Sequence, residues 1–136
     1  MTYQYKPGLG NVASYQASGK PFVSASVHVP GSGSTAGTTA EPHELNFPYI
    51  TRTLVVRNDS SNDIRVGFSR HGIRGGESKS YFTLGEDVSL EMEFKVKSVF
   101  LLSDGATAAT CTVVAGLTGI PTTELLNNWS GSSGIG

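Results

Sequence analysis

Three histidines, one cysteine, a pair of alternating glutamates and a run of arginines are the residues of this sequence whose types could do chemistry. His28, His43 and His71 show none of the spacings that place two imidazoles on one metal ion, and no second ligand type clusters with them. His71 stands between Arg70 and Arg74, whose charges disfavour both an imidazolium and a bound cation. Cys111 has no base near it in sequence and reads as a small buried hydrophobe, not a nucleophile. Glu91 and Glu93 would share a strand face about 7 Å apart, near the carboxylate separation of glycosidases. Nothing around them signals burial, so they read as a solvated face. Asp59, Asn62 and Asp63 lack the evenly spaced oxygens and the glycine of a calcium loop, and turn chemistry accounts for them. There is no nucleophile elbow and no phosphate or dinucleotide loop. No catalytic, metal-binding or cofactor-binding residue is assigned, and the expectation is a protein that is not an enzyme and carries no cofactor.

The arginines are more informative. All five, Arg52, Arg57, Arg65, Arg70 and Arg74, fall in one stretch. If residues 51–57 and 64–68 pair as a hairpin, Arg57 and Arg65 lie side by side on its outer face. They then form either solvated strand ends or a basic interface that meets acidic surface on a neighbouring subunit, with Glu86, Glu91 and Glu93 as its source. Tyr3, Tyr5 and Tyr15 near the start and Trp129 near the end are sticky groups suited to the same use. These nine residues are the candidate subunit-interface set.

Composition sets the frame around them. The chain has 136 residues, enough for one domain with its own core. Only 15% are charged, against about 25% in common soluble domains. The net charge of −1 lacks the basic excess of a general nucleic-acid binder. A single cysteine forms no internal disulfide. No apolar run is long enough to span a membrane as a helix. The start of the sequence does not read as a signal peptide, and the expectation is folding in a cytoplasm.

The elements that must position these residues are strands. Val23, Ala25, Val27 and Val29 alternate with polar neighbours. Residues 44–47, 51–57, 64–68, 80–84, 95–102 and 108–115 read as further strands, and 30–43 and 71–78 as loops. The clearest alternation is at 88–94: Val88, Leu90, Met92 and Phe94 inward, Ser89, Glu91 and Glu93 outward. A charge at Phe94 is therefore expected to prevent folding. About eight strands and no helix beyond roughly one turn make a β-sandwich or barrel. Eight in two packed sheets is the jelly-roll number. Spacing does not give the strand order, so jelly-roll and immunoglobulin-like topologies stay open, although the immunoglobulin Cys and Trp hallmarks are missing. The chain divides into an arm at 1–20, a sandwich at 21–120 and a tail at 121–136.

Several of these segments resemble a known family. Phe47-Pro-Tyr-Ile-Thr-Arg-Thr-Leu-Val-Val-Arg-Asn58, Ile64-Arg-Val-Gly-Phe-Ser69, Tyr81-Phe-Thr-Leu84, Lys95-Val-Lys-Ser-Val-Phe-Leu101 and Ala115-Gly-Leu-Thr-Gly-Ile-Pro121 are similar to the single jelly-roll capsid proteins of icosahedral double-stranded DNA viruses. Within that group the resemblance is to the vertex (penton) proteins of large eukaryotic viruses and virophages, over about residues 20–121. It implies a single jelly roll of about eight antiparallel strands in two sheets, flanked by an extended arm and tail. It further implies a homopentamer at each vertex beside other capsid proteins, in a virion assembled from protein made in the host cytoplasm. A decoration, fibre or tail-associated virion protein is the alternative. A carbohydrate-binding sandwich, with Tyr49 and Tyr81 as stacking candidates, is a second.

Overall fold

The computed structural model describes residues 20–31, 41–74, 80–124 and 135. They form an all-β sandwich of eight strands in two antiparallel sheets of four. The strands are β1 (Lys20–Val29), β2 (His43–Asn46), β3 (Tyr49–Asn58), β4 (Ile64–Gly67), β5 (Tyr81–Leu84), β6 (Ser89–Met92), β7 (Ser98–Ser103) and β8 (Ala109–Pro121). A short helix, α1 (Arg70–Arg74), follows β4, and a 3-10 turn, Thr122–Glu124, follows β8. The first sheet has the order β1-β8-β3-β6 and the second β2-β7-β4-β5.

The pairing is nested. β1 pairs with β8, β2 with β7, β3 with β6 and β4 with β5. These are the rungs of one long hairpin whose turn lies between β4 and β5. Successive rungs fall in alternate sheets, so the hairpin is folded over on itself, and the folding adds the β3·β8 and β4·β7 ladders.

Period-two burial holds this together. In β8, Ala109, Cys111, Val113, Ala115 and Leu117 all face the core. They meet Leu54 and Val56 of β3 and Val27 and Val29 of β1, over Ile64, Val66, Val99 and Leu101 of the second sheet. Each of the valine, leucine and isoleucine side chains among them contributes about 1.5–3 kcal/mol on full burial. β8 runs six residues past its expected end at Ala115 because Leu117 and Ile120 are also fully buried. Thr118, buried between them, donates its hydroxyl to the Ile50 carbonyl at 2.7 Å.

Four local expectations are corrected. First, Val23 and Ala25 do not share the inward face with Val27 and Val29. The ladder with β8 slips between Ser24 and Val27, and Ser26 adopts a positive φ of 55°. That bulge inserts one extra residue, so the inward set changes from Phe22 and Ser24 to Val27 and Val29. Second, β3 and β4 are not a hairpin but belong to different sheets. Asn58 drives the crossing: its Nδ2 donates to the carbonyls of Asn62 (2.7 Å) and Leu84 (3.0 Å), the latter in the second sheet. Third, residues 70–74 are helical, not loop. Ser69 caps α1 by accepting the Gly72 N–H at 2.9 Å. The buried Ile73 then packs against β4 at Gly67, whose lack of a side chain leaves it room.

The fourth correction concerns residues 88–94. Met92 is buried, but Val88, Leu90 and Phe94 are 46%, 37% and 45% exposed. Leu90 does stand opposite the core residue Val56, so its side is the inward one. β6 is an edge strand, however, and apart from Met92 its inward side chain at Leu90 stays partly exposed. The ladder also stops at Met92, because buried Thr51 captures the chain beyond it. The Thr51 hydroxyl donates to the Phe94 carbonyl at 2.6 Å, and the Val96 N–H donates back to that hydroxyl at 3.2 Å. Phe94 then rests edge-on against Phe68 with ring centres 5.5 Å apart. It is not a core residue, and the expectation that a charge there prevents folding does not stand.

Candidate functional site

The chemistry-bearing residues are dispersed. His28 is exposed on β1, His43 lies on β2 and His71 in α1. No group of three histidine, cysteine or acidic side chains able to hold a metal occurs among the described residues. No helix among the described residues is long and apolar enough to cross a membrane. Glu91 is exposed on β6, while Glu93 lies past the end of that strand and pairs with Arg52 at 3.5 Å. Cys111 is fully buried. Burial, and then the charge of Asp59, push its thiol up to about 12. At pH 8 the thiolate is then about one part in ten thousand. A soluble maleimide should leave the folded chain unlabelled for hours and label it within minutes in denaturant; rapid labelling of the folded chain would contradict this burial.

The five arginines do not form one patch. Arg52 and Arg57 belong to the first sheet, and Arg65, Arg70 and Arg74 to the far side of the second. Arg57 and Arg65, expected side by side, are separated by the crossing at Asn58. Each arginine meets a carboxylate of its own chain. Arg57 donates to Asp59 at 2.7 Å. The Thr112 hydroxyl donates to the other oxygen of that carboxylate at 2.5 Å. The Thr112 bond first, and then Arg57, hold the Asp59 carboxyl below its ordinary range. Its small contribution to stability is therefore present above the ordinary carboxylate pKa and lost as pH falls through the lowered one. On the second sheet, Arg70 pairs with Glu41 and Glu44, and Arg74 pairs with Glu41 at 2.7 Å.

Arg65 has a structural task that sequence reasoning missed. Its Nε donates to Asp104 at 2.6 Å, and its Nη1 donates to the carbonyls of Ile73 (3.2 Å) and Arg74 (3.0 Å) at the end of α1. Its guanidinium lies 4.7 Å from the centre of the Tyr81 ring. The side chain thereby clamps the helix to the sheet. One face of Tyr81 is thus occupied by a cation, as is one face of Tyr49, where the Lys20 ammonium sits 5.5 Å from the ring centre. Lys20, Tyr49, Thr118 and Gly119 line an open cleft of about 270 Å³.

The outer face of the first sheet carries two of the exposed large hydrophobic residues among the described ones, Val23 and Val114. Val23, Val114 and Val55 are successive cross-strand partners on β1, β8 and β3, so their side chains form one row, which ends at Glu91 on β6. Val23 is 66% exposed and Val114 39%. Beside this row stand Arg57, Asp59 and Thr112. An apolar stripe bordered by charge suits contact with another protein surface. The sequence carried its signal in Val23, but period two without the bulge assigned that valine to the core. Of the other candidate interface residues, Tyr3, Tyr5, Tyr15 and Trp129 lie outside the described residues.

Comparison of the chain with protein families, with curated proteins and with solved structures found no match.

Proposed function

We propose that this protein is a structural subunit of an icosahedral virion, the vertex protein of its capsid, in which five copies close a ring. It is made in the host cytoplasm and acts only as part of the particle. The observation that carries this reading is the nested pairing of strands, first with eighth through fourth with fifth, with successive pairs in alternate sheets. This nesting supports reading the sandwich as a jelly roll, an architecture used by viral capsid, lectin and cupin domains. Fold alone does not choose among them, and the surface favours the first. One face of Tyr49 carries Lys20 and one face of Tyr81 carries Arg65, which leaves less ring surface for a sugar to stack on. The row from Val23 to Val55 offers a flat apolar contact for a neighbouring copy instead. A closed ring joins unlike surfaces of successive copies, so this row would meet a different part of the next subunit.

The test is the mass of the protein in solution, by sedimentation and single-particle mass measurement, with a double variant, Val23→Asp and Val114→Asp. The expected result is a pentamer that the variant weakens by about a hundredfold or more while its circular dichroism is unchanged. A chain that stays monomeric at high concentration overturns the proposal. An assembly with another number of copies would replace the vertex with a decoration or fibre role.

A further inference from the structure

The two edges of the first sheet are not equally guarded. β1, at one edge, carries Pro21 and the bulge between Ser24 and Val27. A proline and a bulge both stop an edge from pairing further. β6, at the other edge, has neither within Ser89–Met92. The direction of its backbone groups follows from the ladder. The Asn58 N–H donates to the Val88 carbonyl at 3.0 Å, which makes that a bonded position. Bonded and unbonded positions alternate in an antiparallel ladder. Leu90 and Met92, opposite Val56 and Leu54, therefore turn their amides toward β3. Ser89 and Glu91 turn theirs away, and among the described residues no strand pairs with that side.

The side chains of the same segment define the strand that fits it. On the inward side Leu90 is partly exposed, with exposed Val88 before it and exposed Phe94 after it. On the outward side stands exposed Glu91, with Glu86 and Asp87 in the turn that leads into β6. None of these three carboxylates pairs with a cation among the described residues. A second copy of β6 laid along this edge would bring like charges together, so the acidic side chains deter self-pairing. A strand with cationic outward residues meets attraction instead. We propose that the free edge of β6 docks an extended peptide of a partner protein, in which apolar residues alternate with lysine or arginine. The peptide lies beside β6 as a fifth strand of the first sheet. Its backbone bonds to the amides and carbonyls of Ser89 and Glu91. Its apolar residues cover Leu90, and its cations stand beside Glu91, where they extend the row that begins at Val23. This site needs no ring of copies and is the same in a monomer as in an assembly.

The experiment uses the full chain and a fluorescein-labelled peptide of alternating lysine and valine, read by anisotropy at physiological salt, with amide hydrogen exchange on the complex. The expected result is saturable binding, with protection of the Ser89 and Glu91 amides raised about tenfold or more. Leu90, whose amide already faces β3, should change little. The same peptide N-methylated on its lysine amides, which face Glu91, should bind about tenfold more weakly or worse. A peptide of alternating glutamate and valine should lose binding to a similar degree, about tenfold. Glu91→Lys lies on the surface and should leave the circular dichroism unchanged, yet weaken binding of the lysine peptide about fivefold. No binding, or equal binding by the methylated peptide, overturns strand addition. Equal binding by the glutamate peptide, or by the Glu91→Lys chain, overturns the cationic partner. Ser89 and Glu91 amides already protected in the free chain would show the edge closed by the molecule itself, and would overturn the site.

Discussion

An Asn58→Ala chain is expected to lose about 3 kcal/mol of unfolding free energy, close to a third of what a domain of this size has. Asn58 is fully buried and every polar atom of its side chain is used. Its amide donates to the Asn62 and Leu84 carbonyls, and its oxygen accepts from the Ser60 N–H (3.0 Å) and hydroxyl (2.9 Å). One side chain thus shapes the turn after β3 and ties the end of the first sheet to β5 of the second. Alanine leaves the buried Leu84 carbonyl without this donor, and an unmet buried group costs about 1–3 kcal/mol. The turn loses its template at the same time. Urea unfolding should show a midpoint about 2 M lower. A loss under about 1 kcal/mol would mean that water replaces the amide, and that Asn58 does not carry the crossing. Asn58→Asp adds a sign. A carboxylate facing two carbonyls is disfavoured, so its folded pKa is raised. The variant's stability is then retained below the ordinary carboxylate pKa and lost as pH rises through the raised one. It should be less damaged at pH 4 than at pH 7.

Asn58 also shows where the sequence was legible. The run from Asn58 to Asp63 declares a turn, because those residues bond to their own backbone. It does not declare whether the chain returns to the strand it left or crosses to the other sheet. That choice rests on the Leu84 carbonyl, a partner 26 residues away. Long-range partners explain the other gaps too. Alternation located β8, since Cys111, Val113 and Ala115 repeat without interruption and sit between two neighbouring strands. In β6 the alternation was just as regular, yet regularity reports which side faces inward and not whether anything lies opposite. At an edge, Leu90 can point the right way and stay exposed. In β1, one inserted residue turned Val23 from core to surface, and no local residue type announces such a bulge. The arginine run was visible as charge, while the carboxylates that meet it, from Glu41 to Asp104, are scattered along the chain. The valine row was invisible for the same reason: it consists of one residue from each of three strands whose adjacency only the fold supplies.

The contrast between edge and centre yields the last prediction. Leu54→Ala is expected to cost about 3 kcal/mol, and Phe94→Asp about 1 kcal/mol. Leu54 is fully buried and lies in the inward row that runs from Phe22 through Ala115 to Met92. Neighbours on both flanking strands hold its surroundings in place, so truncation leaves a cavity that cannot collapse. Phe94 is the larger side chain and the sequence places it in the core, but it is 45% exposed and what the ring gives up includes its edge-on contact with Phe68. Its backbone carbonyl is held by the Thr51 hydroxyl whatever the side chain is. Aspartate there remains in water, with no desolvation to resist. Thermal melts of the two variants beside the parent chain should rank Leu54→Ala well below Phe94→Asp. The reverse order would place Phe94 under a cover, and would mean that the side of β6 facing the second sheet is closed by another part of the molecule.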